Sequence, residues 1–216
     1  YSNTKIKALE KVSFNVNSGQ SLGLLGKVGS GKTSVLDLIT RLYDPNSGSI
    51  YIDNTNLKEL NLENLRSQIG YVPQNPFLFS ESIKENIKFG KINSSIEEIK
   101  KAALYASVNI DIENFTKKYD TIVGERGLTL SGGQIQRISL ARAIIRGPKI
   151  LLLDDCLSSV DTKTEKEILK NLKKIKKNKT NIRVSHRISS IKHCDKIIVL
   201  KKGKIIEQGN HKNLIH

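Results

Sequence analysis

The sequence predicts an α/β protein built on a mainly parallel β-sheet, and three observations support this class. Short apolar runs alternate with stretches of helical periodicity along the chain. A glycine-rich segment stands between one apolar run and one helical stretch near the start. A continuous apolar run at residues 150–153 suits a strand that is covered on both faces. We therefore expect a mainly parallel core sheet, an antiparallel β layer and a helical subdomain.

The predicted strands are short and are separated by turns rich in Gly, Pro, Asn, Asp and Ser. In chain order they cover residues 11–16, 21–25, 49–52, 69–72, 150–153, 181–184, 196–200 and 204–207. Closely spaced strands and turns near the start predict the antiparallel layer. Residues 77–146 change to mostly helical patterns, which predicts a helical subdomain of about that extent. The core is then expected over about residues 1–76 and 147–216.

Composition restricts the class of protein. Of the 216 residues, 38% are hydrophobic, which is enough for one or two packed domains and too much for a disordered chain. No apolar run approaches the ~20 residues that span a bilayer, and no secretory leader is visible. Because the chain contains no Met and starts at Tyr1, we expect a water-soluble piece of a longer protein.

Cysteine spacing and charge argue against zinc and nucleic acid. Cys156 and Cys194 have no CxxC or paired-histidine spacing around them, which favours a reducing intracellular compartment. The net charge is +15 at pH 7, and many of the lysines lie within residues 163–179, around apolar positions at helical spacing. This pattern predicts an amphipathic helix with a solvated basic face. No strip of aromatic and basic residues accompanies it, so nucleic acid is not an expected partner.

A phosphate-binding loop is predicted at residues 26–33, which match G-x-x-x-x-G-K-[ST] between an apolar strand and a helical run. Glycines let backbone N–H groups point at phosphate oxygens, at a helix N-terminus whose dipole favours anions. Lys32 is expected to reach the β- and γ-phosphates, and Thr33 to hold Mg²⁺. The predicted nucleotide-binding residues of this region are Gly26, Lys27, Val28, Gly29, Ser30, Gly31, Lys32, Thr33 and Ser34.

A carboxylate for the metal is expected at the end of the apolar run 150–153. Asp154 emerges at the carboxyl end of that predicted strand, where a metal-binding aspartate belongs in phosphate-loop enzymes. Two acids after a strand are often only a helix cap. Together with the phosphate loop, however, they predict a nucleotide hydrolase.

The segment Leu130, Ser131, Gly132, Gly133 and Gln134 gives a more specific indication. It resembles the signature motif of ATP-binding cassette proteins, and the chain throughout resembles the nucleotide-binding domain of that family. The resemblance implies ATP and Mg²⁺ as cofactors. It also implies a head-to-tail dimer with a second domain of this kind, in which the signature binds the γ-phosphate of the partner's ATP.

Four further positions match the family one by one. Gln74 resembles the glutamine that contacts Mg²⁺ and the attacking water and links the site to the membrane domain. Asp161 resembles the aspartate of the loop that crosses the dimer interface. His186 resembles the switch histidine that contacts the γ-phosphate. Tyr1 stands where the family places the aromatic residue that stacks on adenine.

One position departs from the family pattern, because Asp155 stands where a glutamate normally polarises the attacking water. The aspartate side chain is one methylene shorter than that of glutamate, and a displacement of about 1 Å at a reacting group costs on the order of a hundredfold in rate. The departure resembles the degenerate half of heterodimeric exporters, and implies slow hydrolysis here with a different chain as partner. The resemblance implies metal ligands Thr33, Gln74 and Asp154 and catalytic residues Lys32, Gln74, Asp155 and His186.

Residues 121–127 and 79–87 resemble multidrug and lipid exporters, in which a transmembrane domain precedes the ATPase on the same chain. The expected location is the cytoplasmic face of the plasma or inner membrane, and the expected cargo is drugs, lipids or peptides. A DNA-repair or chromosome-organising ATPase is disfavoured, because the 99 residues between Gly31 and Ser131 leave no room for long coiled coils. A separately encoded importer or a soluble ATPase of the same family remains an alternative.

Overall fold

A mainly parallel sheet lies at the centre of the fold. The structure is a computed structural model, and it describes Tyr1 and residues 6–124, 130–175 and 179–215. The strands are β1 (Ser21–Leu25), β2 (Tyr51–Ile52), β3 (Thr55–Asn56), β4 (Ile69–Val72), β5 (Ile150–Asp154), β6 (Thr180–Ser185), β7 (Lys196–Lys201) and β8 (Lys204–Gly209). Six strands form the central sheet in the order β4-β5-β6-β1-β7-β8. The first five in this order run parallel, and β8 pairs antiparallel with β7. The predicted α/β class is confirmed.

Helices cover the sheet and fill the connection between β4 and β5. They are α1 (Lys32–Ile39), α2 (Leu62–Ser67), α3 (Ile83–Lys88), α4 (Ile96–Tyr105), α5 (Asn109–Glu113), α6 (Gly132–Ile145), α7 (Thr162–Lys174) and α8 (Ile188–Ile191). Side-chain caps at Ser82, Ser95, Ser131 and Asp161 fix the starts of α3, α4, α6 and α7. Within the described ranges, none of these helices has both the length and the apolar character needed to cross a bilayer.

Two apolar clusters pack against opposite faces of the sheet. Leu151 and Leu153 of β5 belong to the cluster that contains α3, α4 and α6, while Leu152 between them belongs to the cluster beneath α1 and α2. Alternate residues of a strand point to opposite faces, so β5 is buried on both sides. This double burial explains its continuous apolar sequence.

The prediction of a strand at residues 11–16 is wrong, because the structure assigns no strand there. Val12, Phe14 and Val16 do turn inward and pack against the cluster beneath α1, while the residues between them are exposed. The alternation therefore reported side-chain burial correctly. The segment carries no ladder of backbone hydrogen bonds, which is what defines a strand.

The antiparallel layer is smaller than predicted. Within residues 49–52, only Tyr51 and Ile52 form a strand, and they pair with β3 across a turn in which Asp53 and Asn54 both have positive φ. Aspartate and asparagine tolerate this left-handed backbone better than most residues. The turn signal was thus correct, and the ladder that it closes is short.

Candidate functional site

The loop between β1 and α1 wraps around the side chain of Lys32. The Lys32 ammonium donates hydrogen bonds to the carbonyl oxygens of Gly26 at 2.8 Å and Lys27 at 2.9 Å. Gly31 caps α1 with φ of 99°, and a Cβ atom there would lie 2.7 Å from the carbonyl oxygen of Ala8. Backbone angle and space therefore both require glycine. The loop presents its backbone at the start of a helix, where anions bind favourably.

The charge of Lys32 is held in a partly buried position. Burial lowers the pKa of its ammonium, and the nearby carboxylates of Asp154 and Asp155 oppose that shift. Its hydrogen-bond partners in the loop are two neutral carbonyls and the Ser30 hydroxyl, which an anion would outcompete. The tip of the loop is open to solvent, with Val28 97% exposed. A phosphate can therefore approach from this side.

Thr33 and Asp154 form a pair of oxygen ligands at the carboxyl edge of the sheet. The Thr33 hydroxyl donates to Asp154 Oδ2 at 2.9 Å. The Asp154 side chain is buried, and this burial raises the pKa of its carboxyl, while the Thr33 hydrogen bond opposes the shift. A buried carboxylate beside a hydroxyl fits Mg²⁺, which prefers such oxygen ligands and compensates the negative charge. The residues present thus suit the expected metal.

Asp155 and His186 are in direct contact, although 30 residues separate them in sequence. Asp155 Oδ2 lies 2.8 Å from His186 Nδ1, and Ser185 Oγ donates to Asp155 Oδ1 at 3.5 Å. Asp155 takes a left-handed φ of 46° while its N–H donates to the carbonyl of Val184 at 3.0 Å. This sharp turn at the end of β5 directs the carboxylate across to the end of β6.

Tyr1 and Gln74 flank this group of side chains. The Tyr1 hydroxyl shares a hydrogen bond of 2.8 Å with Ser34 Oγ, on the first turn of α1. Its ring packs edge-on against Tyr43, with the ring centroids 5.4 Å apart, and stays partly exposed. Gln74 is exposed and lies two residues beyond β4, which pairs with β5. Both therefore lie near the elements that carry the phosphate loop or Asp154.

The signature segment and Asp161 make separate contacts. Ser131 caps α6: its Oγ accepts from the backbone N–H of Gln134 at 3.2 Å, and Gln134 Oε1 accepts from the N–H of Ser131 at 3.0 Å. Asp161 caps α7 by accepting from the N–H groups of Lys163 and Thr164, and these bonds hold the pKa of its carboxyl below the usual range. The structure thus groups Lys32, Thr33, Asp154, Asp155 and His186 together, and uses Ser131, Gln134 and Asp161 as helix caps.

Sequence reasoning gave no role to three side chains that lie close to the predicted residues. Tyr71 lies on β4 beside β5, and burial near the Asp154 carboxylate raises the pKa of Tyr71. Gln136 Nε2 donates to Ser158 Oγ at 3.2 Å, and Arg187 donates to the Ser158 carbonyl at 2.8 Å. Each of the three lies in or beside a recognised motif, but a motif does not reveal which distant residues of the same chain its side chains contact. Of the exporter-like loop, residues 125–127 lie outside the described residues.

The fold and this site define a phosphate-loop nucleotide-binding domain. Residues 9–158 match the model of the family described as ABC transporter. Because the match covers more than half of the chain, the protein belongs to the ABC transporter family. It is an ATPase domain of that family.

Curated and solved relatives are similar over nearly the whole chain. It is 45% identical over 209 residues to "ABC transporter B family member 24, mitochondrial" of Arabidopsis thaliana, covering 97% of this chain and 31% of that protein. It is 48% identical over 216 residues to "Multidrug resistance-like ATP-binding protein MdlA" of Buchnera aphidicola, covering 100% of this chain and 37% of that protein. The "Structure of a bacterial Atm1-family ABC exporter with ATP bound" matches with a TM-score of 0.93 at 38% identity, over 96% of this chain and 36% of that one. The chain thus spans about a third of the length of these relatives.

Replacing the buried Asp154 is expected to stabilise the nucleotide-free fold. Burial raises the carboxyl pKa in the folded state, so the folded protein carries a penalty at pH values where Asp154 is ionised. Asp154→Asn should raise the thermal unfolding midpoint by roughly 2–4 °C at pH 7.5 without Mg²⁺ or nucleotide. Because the folded-state pKa is raised, the gain should shrink as the pH is lowered and the wild-type carboxyl takes up its proton.

The exposed Glu167 provides the matched control, since Glu167→Gln removes the same charge from the surface of α7. Differential scanning calorimetry should show little change for this variant. An Asp154→Asn midpoint equal to or below that of wild type at pH 7.5 would contradict the assignment of a buried, ionised carboxylate.

Proposed function

We propose that this chain binds and hydrolyses ATP as one domain of an exporter, and that the whole protein couples the reaction to movement of drugs, lipids or peptides across a membrane. The observation that carries the proposal is the Thr33 to Asp154 hydrogen bond of 2.9 Å beside the Lys32 loop. This bond brings a hydroxyl, a carboxylate and an ammonium to one edge of the sheet. Together they provide a place for a metal ion and a triphosphate.

The proposed roles follow from these positions. Lys32 binds the β- and γ-phosphates after leaving the loop carbonyls, and the loop N–H groups bind the remaining phosphate oxygens. Thr33, Asp154 and Gln74 would hold Mg²⁺, which would neutralise charge that develops on the phosphates. Tyr1 stacks on adenine after its hydroxyl releases Ser34.

Asp155 and His186 act on the water and the γ-phosphate. The Asp155 carboxylate is the acceptor for a proton of the attacking water, and His186 contacts the γ-phosphate. Their 2.8 Å contact draws the carboxylate towards the histidine. Because the aspartate arm is one methylene shorter than that of glutamate, we infer that it reaches the water poorly. Hydrolysis at this site is therefore slow.

The signature serves a second ATP, held by a partner domain in a head-to-tail dimer. Ser131 and Gly132 are exposed, as an interface with an external nucleotide requires. Asp161 is also exposed and starts the helix that follows the interface loop. The partner is a different chain whose own site is competent, which accounts for an intact signature beside a weak Asp155.

A transmembrane domain of the same chain is the second proposed partner. The aromatic side chains of Phe77, Phe79 and Phe89 form an exposed cluster, with ring centroids of neighbours 4.7–5.2 Å apart. Arg142 stacks on two of these rings and donates to the Phe77 carbonyl at 2.8 Å. An ordered apolar surface of this kind suits a protein contact. This aromatic cluster follows Gln74 in the sequence, and we place it against helices of the transmembrane domain.

Two further assignments complete the proposal. The chain is one nucleotide-binding domain, with a core over about residues 1–76 and 147–216 and a helical subdomain over about 77–146. It lies on the cytoplasmic face of the plasma or inner membrane as part of an integral transporter. The similarity to a bacterial ABC exporter supports the integral transporter, while the particular membrane is part of the proposal.

Restoring glutamate at position 155 should accelerate hydrolysis. In the full-length protein assembled with its partner, Asp155→Glu is expected to raise the ATP turnover rate by about tenfold to a hundredfold. His186→Ala in the same background should remove the gain, because both residues act on one reaction. Steady-state phosphate release measures the rates. An unchanged turnover in Asp155→Glu would show that the aspartate is not the limiting element.

Docking of the aromatic cluster should be visible by hydrogen exchange. Backbone amides of residues 77–89 are expected to exchange roughly tenfold or more slowly in the full-length protein than in this chain alone. Strand β8 is mostly exposed and lies at the opposite edge of the sheet from β4, which precedes the cluster, so its amides are the internal control. Equal exchange of residues 77–89 in both forms would remove the basis for this contact.

A further inference from the structure

An acidic residue outside the family motifs reaches the signature helix. Asp111 lies on the short helix α5, and its Oδ1 accepts a hydrogen bond from Gln134 Nε2 at 3.0 Å. The Arg137 guanidinium binds the same carboxylate through two nitrogens, at 2.7 Å to Oδ2 and 3.1 Å to Oδ1. Asp111 therefore contacts α6 at two positions that lie about one turn apart, Gln134 and Arg137.

The Asp111 carboxylate decides which way the Gln134 amide faces. A carboxylate only accepts hydrogen bonds, so it selects the NH₂ end of the amide. The carbonyl end then faces the Ser131 N–H, from which Gln134 Oε1 accepts at 3.0 Å. A reversed amide would place an NH₂ group against that N–H. Asp111 thus fixes one half of the reciprocal cap between Ser131 and Gln134.

This cap determines which groups of the signature remain available to an anion. Ser131 Oγ accepts from the Gln134 N–H, so its own hydroxyl proton is left to donate outward. The N–H groups of Gly132 and Gly133 belong to the first turn, where no acceptor exists within the helix. Three donors are thereby arranged by a side chain that touches none of them.

Arg137 prevents the carboxylate from repelling that anion. Burial alone would raise the pKa of Asp111, but the hydrogen bonds from Arg137 and Gln134 outweigh it and hold the pKa below the usual range. The group therefore stays ionised, and remains an acceptor, at neutral pH. Its charge is paired with a guanidinium whose side chain is only 12% exposed. Little net charge is added beside the signature.

We propose that Asp111 is a positioning residue for the ATP of the partner domain, and that it acts by orienting Gln134 and hence Ser131. The inference rests on the proposed function, in which the signature serves the second nucleotide. Asp111 would then influence ATP binding at the partner's site, although it lies on α5 and the signature begins α6. A simple tether between α5 and α6 would instead affect the whole domain.

The test uses the full-length protein assembled with its partner. Photolabelling with Mg²⁺ and 8-azido-ATP in the cold reports nucleotide binding at each chain's own phosphate loop. Trapping with vanadate during turnover reports closure of the partner's site over this chain's signature. Gln134 and Arg137 donate to both carboxylate oxygens of Asp111, whereas the asparagine of Asp111→Asn has only one acceptor oxygen. Vanadate trapping at the partner's site should therefore fall about fivefold. Labelling of this chain in the cold should stay unchanged.

Glu113→Gln is the matched control, because it removes one charge from the same helix at an exposed side chain paired with Lys118. It should alter neither label. Gln134→Ala completes a cycle: Asp111→Asn should lower trapping no further in that background, because its effect passes through Gln134. Additive losses would overturn the inference.

Two other outcomes would also overturn it. If Asp111→Asn lowers both labels together, Asp111 supports the domain as a whole. If it lowers neither, the orientation of Gln134 does not depend on it. Ser131→Arg tests the proposed dimer independently of Asp111, because this variant should abolish vanadate trapping at the partner's site. If trapping survives Ser131→Arg, the proposed dimer fails and this inference fails with it.

Discussion

Parallel pairing of β5, β6 and β1 is the constraint on which the site depends. The register places Asp154 opposite Val184 and Ser185 opposite Leu25, so the three strands end at one edge of the sheet. The chain leaving β1 there becomes the phosphate loop, and the chains leaving β5 and β6 carry Asp155 and His186. Residues distant in sequence are brought together because parallel strands share their carboxyl edge.

The same edge carries an energetic cost that a ligand can relieve. Burial lowers the pKa of Lys32 and raises that of Asp154, so both charged forms are disfavoured by the surrounding protein. The two groups are not joined by a direct ion pair among the described residues; Asp154 is held by Thr33, and Lys32 by loop carbonyls. A metal ion and a phosphate complement these charges. Functional sites often hold such unfavourable arrangements at the expense of stability.

The sequence predicted what depends on local pattern. The strand limits of β1 and β4 were predicted to the residue, because apolar runs bounded by turn signals determine them. The strand at residues 11–16 failed because alternation reports burial and not a backbone partner. The contacts of Asp155 with His186 and of Asp111 with Gln134 depend on tertiary packing. No single-sequence pattern encodes such pairs, even where both residues stand in recognisable segments.

The most direct test of the account is calorimetric titration of ATP into this chain, with and without Mg²⁺. We expect one nucleotide to bind per chain, with affinity falling roughly tenfold or more when Mg²⁺ is removed or when Lys32 is replaced by alanine. Lys27→Ala should bind as wild type does, because Lys27 contributes a backbone carbonyl to this loop. Equal affinities for wild type and Lys32→Ala would contradict the claim that this edge of the sheet binds the phosphates.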